Sequence, residues 1–275
     1  MTQAIYEPGE KTHKNENFPV ASYLIRPKHR PAILAYYRFA RAADDVADHP
    51  QLTEAEKITR LDQFEATLLG KDNVITEALP LRETIARCGL SPRHALDLLI
   101  AFRQDARKHR YTDWGDLIQY CMYSAAPVGR FVLDVHGESP AAWPASDAVC
   151  TALQIINHLQ DCKADYQRLN RIYIPGDALM RHGIMDTALA EARASSGLQA
   201  CIAELAEKTL LFLPAAPLSK QIKDGRLALE VLVIEKVAQS LLKILLTRDP
   251  LSENVHLTKL QFISIIAKSL IETIP

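Results

Sequence analysis

Apolar residues recur at three- and four-residue spacing along most of this chain, and two-residue alternation is nearly absent. The pattern predicts helices and argues against a sheet. A first helix is expected from Pro31 to Ala47, since Pro suits a first turn. Thr53-Glu54-Ala55-Glu56 reads as a capping box that opens a second helix toward Leu69. Ser91-Pro92 reads as an N-cap followed by Pro, and predicts a helix to about Lys108. Trp114 to Val135 is helical in pattern but interrupted at Pro127 and Gly129, which predicts a kink. Asp147 to Asn170 is expected as one long helix, with Val149, Leu153, Ile156 and Leu159 along one side. Further helices fit Met185 to Arg193, Leu198 to Phe212, Ile222 to Thr247 and Leu257 to Ile271, with a surface turn at Ala192 to Gly197.

These elements describe one all-α domain over residues 1–275, with 1–16 a flexible N-terminal segment, and no linker or repeat divides them. The charge is nearly balanced, 32 basic against 33 acidic residues, so no nucleic-acid partner is expected. The five cysteines form no C-x-x-C pair, which fits reduced thiols in a cytoplasmic protein better than a metal cluster or disulfide framework. Residues 1–17 are polar, without the apolar core of a secretory signal, and no apolar run is long enough to span a membrane. Two readings stay open for the last segment, rich in Leu and Ile: a helix docked on the core, or an interfacial helix that meets a lipid surface.

Candidate chemistry lies in two acidic stripes. Asp44 and Asp48 are four apart, on one helical face at the end of a segment of aromatic and small apolar residues. Like charges at that spacing repel, and a bound cation would relieve them. Asn157, Asp161 and Asp165 form a second stripe at the same spacing. Both supply only oxygen ligands, the preference of Mg²⁺, which commonly takes one or two carboxylates plus substrate phosphate. Two stripes facing each other across a cavity would hold several ions and a diphosphate. His158 and Lys163 fall off the second stripe and read as a packed or surface histidine and a solvated lysine. Asp105 reads equally as a pocket or a surface residue. Arg107, Lys108, His109 and Arg110 read as a solvated helix end that could attract diphosphate or anionic lipid.

The residues carrying these stripes resemble the squalene/phytoene synthase family of head-to-head prenyl synthases. Asp44 and Asp48, preceded by Arg41, resemble its D-x-x-x-D motif, and Asn157, Asp161 and Asp165 its N-x-x-x-D-x-x-x-D motif. Arg171-Ile172-Tyr173-Ile174-Pro175 resembles its R-x-Y-x-P ending, and Tyr120 to Gly129 its Y-C-x-x-V-A-G-x-V-G segment. The resemblance implies an isoprenoid synthase helical bundle with a central cavity. It implies Mg²⁺ at Asp44, Asp48, Asn157, Asp161 and Asp165, and substrate or diphosphate contacts at Arg41, Tyr37, Asn17, Arg171 and Tyr173. Tyr120 would lie near the reacting carbons.

The departures narrow the reaction. Condensing members usually carry Arg where this chain has Gln160, and Gln lacks both the charge and the phosphate-matching fork. With E-N-F-P-V-A-S near the N-terminus, N-H-L-Q-D-C and Y-S-A-x-P-V-G, the chain is similar to a bacterial branch serving hopanoid synthesis. That branch converts presqualene diphosphate and water to hydroxysqualene and pyrophosphate, so pathway enzymes upstream and downstream are implied. Gln160 is the expected holder of the quenching water. No G-x-G-x-x-G follows a strand, so NADPH is not expected. The competing readings are condensation of two farnesyl diphosphates and, remotely, a non-catalytic assembly protein. The chain is expected in the cytoplasm, peripheral at the inner face of the membrane if its last helix meets lipid.

Overall fold

The computed structural model describes residues 24–273. Asn17 and the segment 1–16 lie outside the described residues. Among the described residues no strand forms; a single-residue parallel bridge pairs Arg110 with Ile172. The chain divides into two compact units, Met1–Arg107 and Lys108–Pro275.

In the first unit, α1 (Arg30–Ala47) packs against α2 (Glu54–Leu68), α3 (Leu79–Cys88) and α4 (Arg93–Asp105). Phe39, Leu61, Leu81, Leu98 and Leu99 form its interior. Phe39 meets Phe64 edge to face at 5.6 Å, a favoured aromatic geometry. The capping box is formed: the Thr53 N–H donates to Glu56 Oε2 at 2.8 Å, and the Glu56 N–H donates to Thr53 Oγ1 at 3.4 Å. Helix α3 was not expected from the pattern; Pro80 sits in its first turn and Gly89, at φ +65°, ends it. Helix α4 begins after Pro92 and stops at Asp105, short of the expected Lys108.

The second unit holds α5 (Trp114–Ser124), α6 (Ala126–His136), α7 (Trp143–Gln160), α8 (Cys162–Leu169), α9 (Gly176–Arg181), α10 (Ser196–Phe212), α11 (Gly225–Leu245) and α12 (Lys259–Thr273). Helix α7 is central, packed against α5, α6, α10 and α11. Leu133, Val149, Leu227 and Val231 belong to one core cluster around it.

Four expectations are corrected here. The interruption near Pro127 is a full break at Ala125 (φ −124°, ψ −48°), and Pro127 sits in the first turn of α6. A proline excludes the carbonyl four residues earlier, so the break precedes it. Gly129 is no interruption: it lies inside α6, where a Cβ would fall 2.6 Å from Cys150 Sγ and closer still to Ser146 Oγ. The long helix is two, α7 and α8, broken at Asp161 (φ −96°, ψ 7°). Met185 to Arg193 yields only a 3-10 turn at Asp186–Ala190, and Ser195 already caps α10, accepting from the Leu198 N–H at 3.2 Å.

The link between α11 and α12 crosses the α7–α8 junction as a strap. Asp249 shapes it, accepting from the N–H groups of Ala194 (3.0 Å) and Leu251 (2.8 Å). Lys163 Nζ donates to the carbonyls of Glu191 (2.8 Å) and Leu251 (3.2 Å), so it is a tie between segments rather than the solvated lysine expected. The Gln160 amide donates to the Val255 carbonyl. Helix α12 docks on α11, with Ser269 buried and Lys236 paired to Glu272 at 2.5 Å. Its other side leaves Leu260, Ile263, Leu270 and Ile271 exposed. Among the described residues no helix is long and apolar enough to cross a membrane.

Candidate active site

The first stripe is made by one helix. Tyr37, Arg41 and Asp44 on α1 and Asp48 at its C-cap follow one another at three- and four-residue steps, which places them on one face. Arg41 bonds Asp44 at 2.9 Å through one guanidinium nitrogen and Asp45 at 2.6 Å through the other. Asp48 closes the helix, its N–H donating to the Asp44 carbonyl at 2.9 Å, so the spacing of the carboxylates is kept. Burial pushes the Asp44 carboxyl well above the usual carboxylate range, and the charges of Asp48, Asp105 and Asp45 push the same way; Arg41 opposes them. Asp105 is thus part of this cluster, buried at the end of α4, rather than a surface residue.

The second stripe crosses the α7–α8 break with its register intact. The Asp161 N–H donates to the Asn157 carbonyl at 2.8 Å, and the Asp165 N–H to the Asp161 carbonyl at 2.9 Å. Asn170, at φ +50°, ends α8. The chain then runs extended, with Ile172 N–H donating to the His109 carbonyl (2.9 Å) and Gly176 N–H to the Tyr111 carbonyl (2.8 Å). Side chains two apart in extended chain share a side, and Arg171 accordingly donates to the Tyr173 hydroxyl at 3.0 Å.

Around Tyr173 stands an aromatic wall. Tyr111 stacks on it at 5.4 Å, the Tyr120 ring lies 5.5 Å away, and the Tyr120 and Tyr173 hydroxyls are 3.4 Å apart. His158 lies flat against Tyr173, ring centres 3.5 Å apart at 14°. Burial pushes the His158 imidazole down to about 3, with Arg171 adding to the effect. Sequence reasoning left His158 out because it falls one position from Asn157; yet it is three before Asp161, a spacing that shares a helix face.

The second unit therefore brings Tyr120, Asn157, Asp161, Asp165, Arg171 and Tyr173 into one region, and the first unit does the same for Tyr37, Arg41, Asp44 and Asp48. Gln160 is engaged with the strap. The basic run is used structurally: Arg107 pairs with Glu54 at 2.9 Å, Lys108 with Asp116, and Arg110 with Asp186 at 2.7 Å. All five cysteines are free thiols, and burial raises Cys150 to about 11 and Cys162 to about 12, so neither is a ready nucleophile. The donor set fits a hard divalent cation: it is oxygen only, and the crowded first cluster penalises ionisation of Asp44 in a way that a bound cation reverses.

Fold and site together define an all-α protein with two oxygen-donor stripes, the second of them beside an aromatic wall. The model of the squalene/phytoene synthase family matches residues 11–261, and this chain belongs to that family. It is 52% identical to a hydroxysqualene synthase of Rhodopseudomonas palustris and 50% identical to one of Sinorhizobium fredii, each over 96% of this chain and 90% of the relative. A hydroxysqualene synthase of Zymomonas mobilis is 48% identical over 90% of this chain and 85% of its own. Among solved structures, a squalene synthase of Alicyclobacillus acidocaldarius superposes with a TM-score of 0.72 at 31% identity, covering 82% of this chain and 85% of that one. A dehydrosqualene synthase shares the fold at a TM-score of 0.76 and 21% identity, covering 93% and 91%.

Proposed function

We propose that this enzyme converts presqualene diphosphate and water to hydroxysqualene and pyrophosphate. What carries the reading is about 50% identity to hydroxysqualene synthases over at least nine-tenths of the chain, with all five stripe residues present. Asp44 and Asp48 of the first unit, and Asn157, Asp161 and Asp165 of the second, are the residues that would hold Mg²⁺. The chemistry Mg²⁺ would supply there is neutralisation of the leaving diphosphate's charge. Arg41 adds permanent positive charge for the same group. The carbon–oxygen bond breaks with its electron pair going to pyrophosphate; the cyclopropylcarbinyl cation rearranges and opens its ring. Water then forms the new carbon–oxygen bond and its proton passes to pyrophosphate. Tyr111, Tyr120 and Tyr173 supply π faces to the cation and exclude stray water.

The competing reading, condensation of two farnesyl diphosphates, draws on the resemblance to the Alicyclobacillus squalene synthase. Gln160 favours the one-diphosphate reaction, because a condensing enzyme needs cationic groups for a second diphosphate. Purified protein with Mg²⁺ is incubated with presqualene diphosphate, and separately with farnesyl diphosphate, without NADPH. Hydroxysqualene from the first alone supports the proposal; presqualene diphosphate or a C30 hydrocarbon from the second overturns it.

The hydrocarbon substrate also gives α12 a role. Its exposed Leu260 and Ile263 lie between Lys259 and Lys268, and Leu270 and Ile271 follow Lys268, a pattern suited to an anionic bilayer at the inner face of the cytoplasmic membrane. Co-sedimentation with phosphatidylglycerol vesicles, lost in Leu260→Ser/Ile263→Ser, is the expected result; equal binding by that variant removes α12 from the contact.

A further inference from the structure

We infer that His158 holds the water that captures the cation. This rests on the presqualene diphosphate reading. His158 is only 7% exposed, and among the described residues its Nε2 is buried with no hydrogen-bond partner. Buried polar atoms left unpaired are rare in native proteins and cost about 1–3 kcal/mol each. Such an atom in a packed interior points to a partner the folded chain does not itself provide. An imidazole both donates and accepts, and suits a water molecule on either count.

The surroundings indicate why this partner is the reacting water. His158 is stacked on Tyr173 and lies 6.0 Å, centre to centre, from the Tyr120 ring. It therefore stands within the aromatic wall and, three residues before Asp161, at the edge of the stripe assigned to the diphosphate. Of the neighbouring polar groups, Arg171 donates to the Tyr173 hydroxyl, which lies beside that of Tyr120. The Gln160 amide donates to the strap. A cation formed beside π faces alone loses a proton to pyrophosphate and gives a polyene. A water held at His158 Nε2 instead forms the carbon–oxygen bond, and its proton passes to pyrophosphate. His158 thus positions the nucleophile and decides between alcohol and polyene.

The test is product partition. Wild type, His158→Phe, His158→Leu and His158→Gln are each given presqualene diphosphate and Mg²⁺, and hydroxysqualene and C30 polyene are measured per pyrophosphate released. Phe keeps the stacking on Tyr173 and removes the nitrogen; Leu serves if the Phe variant does not fold. The alcohol yield per pyrophosphate is expected to fall about tenfold in Phe or Leu, with polyene rising, and to recover in part in Gln, which restores a polar group. An unchanged alcohol fraction in Phe or Leu overturns the inference. So does a loss of pyrophosphate release with the product ratio intact, which would assign His158 to the leaving group. If the wild type makes no hydroxysqualene, the presqualene diphosphate reading has failed, and the inference that rests on it falls too.

Discussion

The two acidic stripes share a spacing and differ in how they are built. In the first unit, Asp44 lies in the last turn of one unbroken helix and Asp48 caps it, and Arg41, the cation that pairs with Asp44, comes from the same helix. In the second unit the stripe crosses a break at Asp161, is braced by carbonyls from residues 251 and 255, and shares α7 with His158, which stacks on Tyr173. The first is local and the second is assembled. A local stripe depends on helix propensity and its own pairs. An assembled one depends on contacts made far away in sequence, so it is exposed to changes that touch no ligand.

The largest expected effect ignores that difference. Asp48→Asn and Asp161→Asn should each lower kcat/KM by roughly a thousandfold, about 4 kcal/mol, if both stripes serve the same reaction. Pyrophosphate release measures it, and a normal rate in either variant removes that stripe from the chemistry. Next comes the seat of the assembled stripe. Gly129→Val forces a side chain against Ser146 and Cys150 of α7, and overpacking of this kind costs about 1–3 kcal/mol; equilibrium urea unfolding reads it.

Gln160→Ala separates the two stripes more finely. It leaves the Val255 carbonyl without its donor, for a loss of about 1 kcal/mol. Amide exchange should quicken along the strap at 249–258 while α1 keeps its protection, and equal protection in both proteins would deny the brace. The smallest effect lies in the first unit. Thr53→Ala removes the α2 cap for about 1 kcal/mol in thermal unfolding, with no change in kcat.

Legibility in the sequence follows the same division. Helix α1 and the capping box of α2 were readable because their signals lie within a few residues of the elements they define. The break at Asp161 was not: no Gly or Pro marks it, and Gln160 and Lys163 on either side bond to carbonyls roughly ninety residues away. The Met185 to Arg193 segment has helical spacing but forms only a 3-10 turn, where Asp186 is drawn to Arg110. Both stripes were legible as ligand types at helical spacing. The part of His158 was not, because its stacking on Tyr173 depends on an extended segment that no periodicity reports.

The strap has a consequence for how the chain matures. A nascent chain that has emerged only to the end of α11 already contains both stripes and every residue of the aromatic wall. It lacks the carbonyls of Leu251 and Val255 to which Lys163 and Gln160 bond. Because proteins of this size acquire structure progressively during synthesis, the junction under the second stripe is braced only when residues 251–255 have left the ribosome. The enzyme thus carries a built-in delay between having its ligands and setting them, and a chain released before the strap is made would have the right residues on an unbraced junction.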